Sequence, residues 1–274
     1  MAKERLDVLL TQRGHFTSRQ QAQRAIMAGL VKINGERADK PGTRVPADAD
    51  VEVTGREHPY VSRGGLKLER ALEVFDLHLE NRVVLDIGAS TGGFTDCALQ
   101  NGAAKVYAVD VGYGQLDWKL RQDERVVVME RTNFRYMQPG DLPGERPDFA
   151  TVDVSFISLS LILPPLKQLL KEPAEVVALV KPQFEAGRKQ VGRKGVVRDP
   201  RIHREVLTRF CRTAEEEGFT IEGLAPSPIT GSEGNIEFLS WLGWNPSHPS
   251  GTKEASAELI SETVEWAQRE RTDP

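Results

Sequence analysis

Five charged residues of this 274-residue chain stand where apolar runs stop. Asp86 closes VVLD, Asp110 closes KVYAVD, Asp153 closes DFATVD, Lys181 follows EVVALV, and Glu237 opens a late run beside Gly234 and Asn235. If the runs are strands of one open sheet, a ligand sits at their carboxyl ends, so Asp110, Asp153 and Lys181 face a common crevice. Lys67 lies beside core positions just after a Gly-Gly turn. Two lysines and two acids can compensate each other in a site that excludes water. Beside them, VVLDIGASTGGFTD reads as a buried strand, a tight turn and a helix. Gly88, Gly92 and Gly93 would let a ligand approach the backbone, and the helix opening supplies free N–H groups. Asp110, ending the next strand about 20 residues on, is placed for the two hydroxyls of a ribose.

Dinucleotide binders need G-x-G-x-x-G at such a turn. Here the order is G-x-x-x-G-G behind an acid, which resembles the first motif of S-adenosylmethionine-dependent methyltransferases. That resemblance implies S-adenosylmethionine as cofactor, received by Asp86, Gly88, Ser90, Thr91, Gly92, Gly93 and Phe94. It extends to Asp110 and Val111 at the ribose, Asn133 at the adenine edge, and Asp153.

The elements that must position these residues follow in order. RGGLKLERALEVFDL from Arg63 is a helix with Leu66, Leu68, Ala71, Leu72 and Phe75 apolar. VVVME at 126–130 is a third strand, and SLSLILPPLKQLL an apolar helix interrupted by Pro164 and Pro165. Asp199 caps a helix with Pro200 at its first position, running to about Glu217. FTIEGLAPS and NIEFLSWLGW form an antiparallel pair, and a last helix spans about Ala255 to Arg269. Strands alternating with helices predict an α/β fold, a Rossmann-like parallel sheet with helices on both faces.

The N-terminal stretch differs. Residues 1–44 hold nine Lys or Arg against four acids, a charge of +5, and since the whole chain carries −4 the remainder carries −9. A basic head on an acidic body suits a polyanionic partner. Leu6, Leu9 and Leu10 fall at helical spacing before Gly14. Ser18 and Gln21 make a capping box for a helix whose Ala22, Ile26 and Leu30 face inward. Then VKI, Asn34-Gly35 and ERA read as a hairpin with a type I′ turn, and VEV as another strand. R-L-D, S-R-x-x-A and I-x-x-G-x-V-x-I-N-G together resemble the S4 RNA-binding domain, a small α+β fold. The resemblance implies RNA contacts at Arg5, Arg19, Gln20, Arg24 and Lys32, against the plainer reading of a solvated helix face. The expected organisation is an S4 domain over 1–59, a linker over 60–62 and a methyltransferase domain over 63–274.

RGGLKL, DIGASTGGF, DVSFISL, KPQFE and GNIEFL, in that order behind the S4 head, resemble the TlyA family, which joins S4 to an FtsJ-like (RrmJ-like) ribose methyltransferase domain. What this implies is a catalytic tetrad of Lys67, Asp153, Lys181 and Glu237 for 2′-O-methylation of cytidine in 16S rRNA, 23S rRNA or both, within ribosomal subunits. A ribose hydroxyl is a poor nucleophile, so Lys181 would take its proton, oriented by Asp153, with Lys67 and Glu237 steering the hydroxyl. Holding oxygen and methyl in line would supply much of the acceleration. Arg63 and the basic loop 186–198, with Arg188, Lys189 and Arg193, would grip RNA phosphates over the site, or move as a solvated loop. Where the family's linker often carries a tryptophan motif, this chain has REHPY.

Members of the family have also been called haemolysins, and a membrane-active protein is the rival from another class. No apolar run approaches the roughly 18 residues of a membrane span, and MAKERLDVLL lacks the apolar segment of a signal peptide. A cytoplasmic location is expected. Cys97 and Cys211, without a C-x-x-C or a nearby His cluster, suggest buried thiols and no metal site.

Overall fold

A computed structural model of the chain describes residues 3–16, 19–27, 29–53, 58–187, 189–247 and 257–272. They divide into two compact units, 1–59 and 60–274.

The first unit holds β1 (Lys3–Arg5), α1 (Leu6–Gln12), α2 (Arg19–Met27), β2 (Val31–Ile33), β3 (Glu36–Ala38), β4 (Arg44–Pro46) and β5 (Val51–Val53). Leu6, Leu9 and Leu10 of α1 meet Ala22, Ala25 and Ile26 of α2 over Val31 and Val45, which makes the core. Asn34 (φ 50°) and Gly35 (φ 83°) are both left-handed, as a type I′ hairpin requires, and β5 flanks β2 on its other side. The pairing of β1 with β4 was not legible in the sequence, because Lys-Glu-Arg shows no apolar alternation. The capping box at Ser18 and Gln21 lies outside the described residues.

The second unit holds α3 (Gly65–Val74), β6 (Val83–Ile87), α4 (Gly93–Gln100), β7 (Lys105–Val109), α5 (Trp118–Arg121), β8 (Val126–Met129), β9 (Phe149–Val152) and α6 (Leu163–Leu169). After them come β10 (Ala174–Val180), α7 (Pro182–Glu185), α8 (Pro200–Glu216), β11 (Thr220–Pro226), β12 (Phe238–Trp244) and α9 (Ala257–Thr272). The seven strands lie in the order β11-β12-β10-β9-β6-β7-β8. From β6 the chain winds outward to β7 and β8, then returns to β9 and β10 on the other side. The reversal falls between β6 and β9, where open α/β sheets form their crevice. Both faces are covered: Val83, Leu85 and Ile87 meet Leu166 and Leu207 on one side, while Val84 meets Leu68 and Ala98 on the other. A strand buried on both faces loses its polar alternation, which is why these segments read as plain apolar runs.

Two expectations need correction. The sheet is mixed, since β12 runs antiparallel to both β10 and β11. The connection between β11 and β12, residues 227–237, holds no crossover helix, and without one a neighbouring strand returns in the opposite direction. Pro164 and Pro165 do not interrupt a helix; they stand in the first turn of α6, where a missing N–H costs nothing.

Candidate active site

The reversed β12 decides the geometry of the site. Its register pairs Val180 with Phe238, so Glu237, just before β12, lies at the same sheet edge as Lys181, just after β10. Asp153 follows β9 at that edge, and Lys67 reaches it from α3. The four charged ends meet. Lys67 Nζ donates to Glu237 Oε2 at 2.8 Å and to Asp153 Oδ2 at 3.4 Å. Lys181 Nζ lies 2.5 Å from Asp153 Oδ1 and donates to Ser155 Oγ at 3.1 Å. Lys67, Lys181 and Glu237 are buried and Asp153 nearly so. Burial alone would push the Asp153 carboxyl up, but the two ammonium groups hold it below the usual carboxylate range.

These side chains line a cleft of about 300 Å³ together with Arg63, Gly88, Ser90, Gly93 and Phe94. Asp86, Thr91 and Gly92 are not on its wall. The Asp86 carboxylate points inward, receiving Thr95 Oγ1 at 2.6 Å and Thr151 Oγ1 at 2.9 Å, and burial raises its pKa to about 6. It ties the glycine turn to α4 and β9. Gly88 and Gly93, on the cleft wall, also serve the fold itself. A Cβ on Gly88 would stand 2.5 Å from the Asp153 carbonyl oxygen, and one on Gly93 2.4 Å from Ser62 Oγ. Their missing side chains make room first for the protein's own backbone and linker.

Asp110 lies at the next strand end and accepts the N–H groups of Ser90 and Gly112 at 2.8 and 2.6 Å. Val111 and Asn133 stand exposed beyond it, after β7 and β8. Residues 60–62, expected as a connector, pack into the second unit. Tyr60 is buried and donates to Glu69 at 2.6 Å, and Val61 N–H donates to the buried Asp96 of α4 at 2.8 Å.

In the first unit Arg5 and Arg19 both bond to Asp7, Gln20 is exposed, and Lys32 pairs with Glu52 at 3.4 Å. The Arg24 and Arg193 side chains, and Arg188 altogether, lie outside the described residues. Lys189 is exposed on the loop before α8. That loop is pinned: buried Asn235 accepts Val197 N–H at 3.0 Å and donates to the carbonyls of Gly195 and Ser232 at 3.1 and 2.9 Å.

Sequence reasoning missed Ser155 and Gln183, which lie outside the strands and are brought to the site by their bonds to Lys181 and Glu237. Gln183 Nε2 donates to Glu237 Oε1 at 2.9 Å, which fixes its amide; its oxygen is buried without a partner. Gly231 was missed too, although a Cβ there would meet Glu237 Oε1 at 2.1 Å. Phe156, 89 % exposed with φ 63°, stacks on Phe184 at the cleft mouth, 4.9 Å between centroids.

Comparison with known proteins agrees with this architecture. Residues 60–244 match the FtsJ-like methyltransferase family and residues 4–51 the S4 domain. The chain is 57 % identical to a Bacillus subtilis protein named as a provisional rRNA methyltransferase, YqxC, over 97 % of this chain and 95 % of that one. It is 48 % identical to the 16S/23S rRNA (cytidine-2′-O)-methyltransferase TlyA of Mycobacterium tuberculosis, over 88 % and 90 %. Among solved structures, a Streptococcus thermophilus protein described as a candidate haemolysin superposes with a TM-score of 0.79 at 52 % identity, covering 99 % of this chain and 98 % of that one. The order of the S4 head, glycine turn and charged strand ends, and these matches along nearly its full length, establish that the chain belongs to the TlyA family of FtsJ-like methyltransferases.

Proposed function

We propose that the protein transfers a methyl group from S-adenosylmethionine to the 2′-hydroxyl of a cytidine ribose in ribosomal RNA. The observation that carries this reading is the convergence of Lys67, Asp153, Lys181 and Glu237 on one cleft beside the glycine turn. The substrate class follows the names of the relatives. The cleft suits a polar ligand, since its lining holds a buried amide oxygen on Gln183 that lacks a partner. Gly88, Ser90 and Phe94, with Asp110, Val111 and Asn133 at the neighbouring strand ends, would hold the cofactor, which when bound supplies a methyl group on a positively charged sulfur.

The chain's own residues then do four things. Lys181 would accept the hydroxyl proton at Nζ while the methyl carbon exchanges its bond to sulfur, which leaves as a neutral thioether, for one to the ribose oxygen, so its amine must be neutral at that moment. Asp153, bonded to both lysines, holds Lys181 Nζ in line and keeps Lys67 as counter-ion. The Lys67–Glu237 pair, braced by Gln183, orients the hydroxyl. The exposed ring of Phe156 at the mouth offers a face on which an unstacked base can lie.

The test is transfer of label from tritiated S-adenosylmethionine to purified small and large ribosomal subunits, comparing the intact protein with Lys181→Ala. Label is expected on ribose, in one or both subunits, and to fall by on the order of 10³ in the variant while calorimetry shows cofactor affinity unchanged. Absence of label with the intact protein, despite cofactor binding, refutes the reading. A membrane-active role draws no support from the helices: among the described residues none is long and apolar enough to cross a membrane.

A further inference from the structure

Asp7 is fully buried in the most basic part of the chain. A buried carboxylate needs compensation, and this one has four bonds from three side chains. Arg5 donates from Nε to Oδ1 and from Nη2 to Oδ2, both at 3.0 Å. Onto the same Oδ2 come Arg19 Nη2 at 3.1 Å and Gln23 Nε2 at 2.6 Å. The two arginine side chains remain 46 % and 54 % exposed. Because both Nη2 atoms touch one oxygen, they lie within about 6 Å of each other, a separation a single phosphate can bridge with charge-assisted hydrogen bonds. A guanidinium that grips a carboxylate through Nε and one Nη, as Arg5 does, turns its remaining donors away from that carboxylate.

We propose that Asp7 is a positioning residue for RNA, holding Arg5 and Arg19 as a preformed clamp for a backbone phosphate. The proposal rests on the reading that the protein acts on RNA. Free arginines would each lose rotamer freedom on meeting a phosphate; a carboxylate shared beneath them imposes that order beforehand. The acid therefore strengthens binding to a polyanion despite its charge, and that sign makes the idea testable. If only net charge mattered, Asp7→Asn would bind RNA more tightly, because a negative charge is gone.

The experiment is filter binding of radiolabelled 16S and 23S rRNA to the full chain over a range of salt concentrations. Asp7→Asn is expected to bind about tenfold more weakly, with a salt slope smaller by about one phosphate contact. The double variant Arg5→Lys, Arg19→Lys keeps every charge and alters only half-exposed side chains, so it guards against misfolding of the first variant. It is expected to lose affinity similarly, because lysine cannot grip carboxylate and phosphate with a planar fork. Cofactor affinity, a property of the second unit, should stay constant throughout. Tighter or equal binding by Asp7→Asn, or full affinity in the double lysine variant, overturns the clamp while leaving the enzymatic reading intact. Failure of the unaltered protein to bind either RNA overturns both.

Discussion

At Asp86 the chain keeps a buried carboxylate with no counter-ion among the described residues, satisfied by two threonine hydroxyls. Burial raises its pKa from 3.8 to about 6, so between pH 4 and 6 the folded protein binds more protons than the unfolded chain. Stability contributed by this residue is therefore fully present below pH 4 and is lost as pH rises through 6, by about 3 kcal/mol. In Asp86→Asn that slope should vanish: urea denaturation is expected to favour the variant over the parent by about 3 kcal/mol more at pH 7 than at pH 4. A constant difference across that range would show that Asp86 does not titrate as a buried acid. The residue also shows what a sequence can and cannot reveal at this scale. Acid and glycines were legible as a motif because their spacing is specific. Which way the acid points was not, since that depends on Thr151, 65 residues away on another strand.

At the scale of elements, β12 and the loop before α8 depend on one side chain. Asn235 bonds three backbone groups of two loops, and two residues on lies Glu237. Only an amide can accept from Val197 N–H and donate to two carbonyls at once. Asn235→Ala strands those buried groups, at a cost of about 2 kcal/mol or more. Local opening of the loop should rise by on the order of 30-fold. Limited trypsin digestion would register it as faster cleavage after Lys189, Lys194 and Arg198, all exposed on that loop. Unchanged cleavage would mean that other contacts hold it. The sequence left a phosphate-gripping and a mobile solvated loop open and did not reveal the pin, because Gly and Lys in a segment speak for exposure, whereas the pin comes from outside it. The same limit hid the place of β12: its antiparallel pairing with β11 was legible, but not its insertion beside β10, because that depends on which neighbour accepts the edge.

The whole molecule sets a head of net charge +2 over residues 1–59, its basic excess concentrated in residues 1–44, against an acidic body. Residues 60–274 carry 26 Lys or Arg against 32 Asp or Glu, so the unit that holds the cleft has a net charge of −6. Such a body repels RNA at long range, and the first unit, which brings the Arg5–Asp7–Arg19 cluster, has to supply the affinity. A chain of residues 60–274 should therefore fold, since both faces of its sheet are covered by its own helices, and bind S-adenosylmethionine normally. Its KM for ribosomal subunits should rise by a factor on the order of 100 through loss of the second attachment. Where the cut falls matters as much as whether it is made. Starting at Arg63 also removes Tyr60, whose ring occupies the space a Cβ on Gly65 would need, and Val61, whose N–H binds Asp96 of α4 directly behind the glycine turn. Loss of that buried aromatic should destabilise the shorter chain by about 3 kcal/mol relative to the longer one. Calorimetry should also show weaker cofactor binding, because α4 opens from that turn. Equal stability and equal cofactor affinity for the two truncations would show that residues 60–62 are a plain tether; a difference would make them part of the catalytic unit.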